Sequence, residues 1–65
     1  MEETSKTNKE IFKEKYPAKE FAKSPMACVE AIGYLKALIE YFPSEKKWVD
    51  SYIETLMMVL LYHAL

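Results

Sequence analysis

Few side chains in this 65-residue sequence are of types that do chemistry at neutral pH. His63 is the single histidine, Cys28 the single cysteine, and Asp50 and Glu54 are carboxylates one helical turn apart. A thiol beside an imidazole is a nucleophile–base pair. Cys28 and His63 fall near opposite ends of the long helical region, where a hairpin brings them together. A working pair also needs a group to orient the imidazole and donors for a developing oxyanion. Neither can be picked out, and there is no glycine-rich loop. His63 lies inside an apolar stripe, the setting of a core or interface histidine that makes one hydrogen bond. A di-metal carboxylate bundle takes Glu-x-x-His motifs from facing helices; that spacing does not occur, and one cysteine cannot build a thiolate zinc site. The sequence therefore predicts no catalytic residue, no metal site and no cofactor.

The elements that position these residues follow from composition and punctuation. Sixty-five residues make one domain near the lower limit for independent folding, and such chains usually lean on disulfides, metals or self-association. With the first two excluded, self-association is what remains. Apolar residues are 51% of the chain, enough to build a core. The formal net charge is −1 and every basic residue is lysine. That balance gives no pull toward nucleic acid, and the absence of arginine removes the usual reader of base edges. The N-terminus has no apolar signal segment. The apolar run Leu56–Leu65 is too short for a bilayer, which needs about 20 residues. A membrane role is thus not expected, and the lone thiol fits a reducing, cytoplasmic setting.

Residues 1–6 are polar and read as a frayed terminus, with a single helical domain over 7–65. Thr7-Asn8-Lys9-Glu10 matches a capping box and starts a short helix over about 8–16, carrying Ile11, Phe12 and Tyr16. Pro17 stops it, and Ala18–Lys23 adds a turn with Phe21. The charges of this arm read as a solvated face. Ser24-Pro25 is a strong start signal for a helix over about 25–42. Its inner face centres on Ala27, Ala31, Leu35, Leu38 and Phe42 at 100° per residue. Gly33 on its outer side costs helix stability and points to a close crossing there. Pro43 breaks the chain again. Ser44 is placed to cap a last helix over about 45–64, with Pro43 and Trp48 as a staple. The fold class is all-α: a short N-terminal helix, then a long antiparallel hairpin assembling as a helical-bundle oligomer.

The last helix changes character midway. Its inner face runs Trp48, Val49, Tyr52, Ile53, Leu56, Val59, Leu60 and His63. Its back is polar as far as Glu54 and then turns apolar: Met57, Met58, Leu61, Tyr62 and Leu65. A helix apolar all round must be covered all round. Met26 and Val29 present apolar outer surface at the same end of the hairpin. These seven residues are the predicted interface. Two coverings compete for them, the N-terminal arm or a second copy of the chain. Methionines also suit an adaptable surface for a protein partner.

Lys47-Trp48 at the start of the last helix, with Leu56 and then the methionines following, resembles the second helix of the phage helical-hairpin proteins that sequester cyclic-nucleotide signals of bacterial immunity. The plan of a short helix before a hairpin is similar too. The resemblance implies an oligomer that holds nucleotide at its subunit junctions. The family's basic residue in the later part of that helix has no counterpart here, where His63 stands nearby, and no site is carried over. The residues themselves point to a non-enzymatic interaction protein, homo-oligomeric and binding a protein partner, of the kind that serves as a phage or plasmid inhibitor. Nucleotide sequestration is the alternative.

Overall fold

A computed structural model describes residues 6–65, so the expected fraying of residues 1–5 lies outside the described part. Four α-helices follow one another: α1 (Asn8–Lys15), α2 (Ala18–Lys23), α3 (Pro25–Tyr41) and α4 (Lys46–Ala64). The described residues contain no strand. Three prolines set the corners. The residue before each is kept out of the helical region by the proline ring: Tyr16 has φ −128°, Ser24 φ −139° and Phe42 φ −132°. Each helix therefore ends where its neighbour can start.

Capping chemistry fixes the starts. The Thr7 hydroxyl accepts from the Glu10 N–H, and the Glu10 carboxylate accepts from the Thr7 N–H, closing the expected box. The Ser24 hydroxyl accepts from the Ala27 N–H, and Pro25 occupies the first helical position. The start of α4 differs from expectation. Pro43–Glu45 forms a single 3-10 turn, the cap of α4 is Glu45, and no side chain caps that helix end. Ser44 lies within the turn instead. In this turn the Glu45 N–H goes to the Phe42 carbonyl and the Lys46 N–H to the Pro43 carbonyl, so backbone acceptors take donors ahead of the Ser44 hydroxyl.

Packing is a hairpin with an arm laid along it. Helices α3 and α4 share the most extensive contact, and α2 packs against both. The core is Phe12, Phe21, Cys28, Ala31, Leu35, Leu38, Val49 and Leu56, all buried. Phe12 is fully buried within about 6 Å of the rings of Tyr16, Tyr34, Trp48 and Tyr52. Tyr52 meets it edge-on, with centroids 5.0 Å apart, the geometry the ring quadrupoles favour. One side chain thus anchors α1 to both hairpin helices.

Two sequence expectations change. Phe42 was expected to close the inner face of α3, yet it is 46% exposed. The helix ends at Tyr41, and the Phe42 backbone, at φ −132°, turns the ring out of the stripe. Gly33 was expected to mark a close crossing. A methyl group built on it would meet nothing within 4 Å, so no neighbour in the chain approaches it.

Candidate functional site

The two chemistry-bearing side chains do come together, through a third atom. His63 Nε2 lies 2.8 Å from the Phe21 carbonyl oxygen, and Cys28 Sγ lies 3.7 Å from the same oxygen. A carbonyl only accepts, so Nε2 carries the hydrogen and both side chains donate. The reason is local. Phe21 sits in the last turn of the six-residue α2, where carbonyls have no intrahelical partner. The neighbouring Glu20 carbonyl takes the Ser24 N–H, and Phe21 is left to receive α3 and α4 side chains. Burial pushes the Cys28 thiol above its ordinary value of 9.0. A neutral thiol donating to a carbonyl is a helix-end cap. It is the opposite of the low-pKa thiolate that a nucleophilic site requires.

A second polar junction lies at the other end. The half-buried Glu45 carboxylate accepts from Trp48 Nε1 at 2.8 Å and from Asn8 Nδ2 at 2.6 Å. It therefore ties the start of α1 to the first turn of α4. Lys9 adds its ammonium 5.8 Å from the centre of the Trp48 ring. Asp50 is paired with Lys46 at 2.6 Å along the helix surface, and Glu54 is exposed. Among the described residues no three His, Cys, Asp or Glu side chains are grouped to hold a metal ion.

Met26, Val29, Met57, Met58, Leu61, Tyr62 and Leu65 are all at least half exposed, with Leu65 at 96%. The arm leaves all seven exposed, although Ala22 of α2 comes to the edge of Met58 and Tyr62. Phe12 and Phe21 are drawn into the aromatic core between Tyr34, Trp48 and Tyr52, so the arm covers the flank of the hairpin and leaves the outer side of its open end bare. Where α2 meets the end of α4, a shallow apolar cleft of about 330 Å³ is lined by Ala22, Thr55, Met58, Val59, Tyr62 and His63. No lysine lines it. Among the described residues no helix is long and apolar enough to cross a membrane.

Two features of this end were not read from the sequence: the shared cap on Phe21 and the part of Ala22 in the cleft. Both depend on how α2 docks, and a six-residue helix leaves too short a pattern to orient. The Glu45–Trp48 bond had a visible signal in its i,i+3 spacing, but the Asn8 partner, 37 residues away, had none. Comparison of the chain with protein-family models, curated proteins and solved structures finds no match.

Proposed function

We propose that this chain is a small non-enzymatic interaction protein that works by pressing the apolar open end of its hairpin against protein, a second copy of itself included. One observation supports the reading: the exposed cluster Met26, Val29, Met57, Met58, Leu61, Tyr62 and Leu65 at one end of the molecule. Monomeric proteins rarely expose a contiguous apolar patch beyond a few hundred Å², and each of these seven large apolar side chains is half or more exposed. The surrounding chemistry fits the same role, because methionine and tyrosine suit contact surfaces that are adaptable and half wet.

Leu61→Glu tests it, since Leu61 is 59% exposed and its replacement leaves the core alone. By light scattering, the wild type is expected to run at a multiple of its 7.6 kDa chain mass. The variant is expected to fall to the monomer with unchanged helical circular dichroism. A monomeric wild type whose solubility and mass are unaffected by Leu61→Glu would remove the basis of the reading.

A further inference from the structure

The arm covers only one broad side of the α3–α4 hairpin. The molecule is 14 Å across its thinnest direction between Cα atoms. Two helix layers with axes 8–10 Å apart span about 13–15 Å between their outer Cα atoms, so the molecule is two layers thick and no more. The arm flank of the hairpin is marked by Tyr34, Trp48 and Tyr52, which meet Phe12, and by Val59, which faces Ala22 across the cleft. At 100° per residue the opposite flank is lined by Val29, Ile32 and Ile39 from α3 and by Ile53, Met57 and Leu60 from α4. Four of these are half-buried and two are exposed. That flank runs into the exposed end formed by Leu61 and Leu65.

We propose that a second copy of this chain sits on this uncovered flank, with the two-fold axis parallel to the helices and both turns at the same end. The proposal rests on the reading that the apolar end is a contact surface, and adds which side is used and in which orientation. Charge argues for a second copy. A two-fold interface must be self-complementary, and here the chain meets that requirement in one orientation.

The decisive feature is how residues are distributed along the hairpin. The helices are antiparallel about the Pro43–Glu45 turn, so Lys36 stands level with Ser51, between Asp50 and Glu54. Val29 stands level with Met58. With the axis along the helices, α3 of one copy faces α4 of the other at unchanged height. Val29 and Ile32 then meet Met57 and Leu60, while Lys36 meets Asp50 and Glu54. Among the described residues, Lys36 and Glu54 form no ion pair within the chain. An axis across the helices would lay each apolar end on the charged belt of the other copy, or else overlap the tips alone and bury much less. The proposed assembly is a four-helix core with the two arms outside it.

A nitroxide on Ser44→Cys reads the orientation by pulsed electron–electron resonance. Ser44 is exposed at the turn, and the buried native thiol is shielded from brief labelling. Turns at the same end should lie within about 20 Å of each other, whereas a crosswise axis over a 19-residue helix about 28 Å long puts them about 30 Å apart at full overlap and further apart at less. Charge reversal gives a second readout. Lys36→Glu alone and Glu54→Lys alone should each raise the dimer Kd roughly tenfold, and combining them should recover most of the loss. Close labels with recovery in the double variant support the proposal. Distant labels, or no recovery, overturn it; if Leu61→Glu still dissociates that dimer, the functional reading stands without it. A wild type that stays monomeric in solution overturns the proposal, and Leu61→Glu then decides the reading by itself.

Discussion

At the scale of residues, the polar atoms inside this molecule are few and all are tied. No buried side-chain nitrogen or oxygen among the described residues lacks a partner. Glu45 and the Phe21 carbonyl each collect two donors, one from a neighbouring turn and one from far along the chain. The buried thiol gives a pH prediction. Cys28 and Tyr52 are both pushed upward by burial, from ordinary values of 9.0 and 10.0. A group neutral in the fold and ionised in the open chain costs stability once the open chain ionises. The contribution is whole below about pH 8.5 and is lost as pH rises through the folded-state values. Urea midpoints should therefore hold steady from pH 7 to that point and then fall. In Cys28→Ala the fall should begin later, where only Tyr52 is left. The sequence made the meeting of Cys28 and His63 legible from their places on the hairpin. It could not show that a backbone oxygen stands between them, because that oxygen belongs to a segment whose docking is set by Phe21.

At the scale of elements, the prolines and the capping box carried most of the information. Residues with one permitted backbone region leave little to tertiary context, so the bounds of α1 and α3 fell within a residue or so of expectation. The reading failed at the second corner, where serine was assigned the cap and the chain used a 3-10 turn with Glu45 bonded sideways to Trp48. Capping preference is a local signal, and here an indole and an amide from α1 outweighed it. Gly33 offers the element-scale prediction. Nothing fills the space beside it, so Gly33→Ala should stabilise α3 by about 1 kcal/mol, the difference in helix propensity. Thermal denaturation followed by circular dichroism checks the sign. A loss of stability would mean that another surface packs on this glycine.

At the scale of the whole molecule, the proposed contact between copies would tie folding to concentration. A chain this short holds little stability in reserve. Anything that binds the folded form alone adds to it by mass action. The melting temperature is therefore expected to climb as protein concentration rises from micromolar to millimolar, and Leu61→Glu should flatten that dependence. Packing answers one of the two coverings that the sequence left open: the arm lies along the flank and leaves the end exposed. Phe12 prefers an aromatic cage that exists only between the folded helices, and periodicity along α1 could not specify that cage.

One residue, Ser24, closes α2 and opens α3, with Pro25 immediately after it. Chains with such tight joints commonly trade segments by straightening two helices into one continuous rod and lending the freed piece to a neighbour. Proline at this joint, and again at Pro43, lacks the amide hydrogen and the room that a straightened rod would need. Copies of this protein should therefore meet as finished units and part as finished units, without becoming entangled.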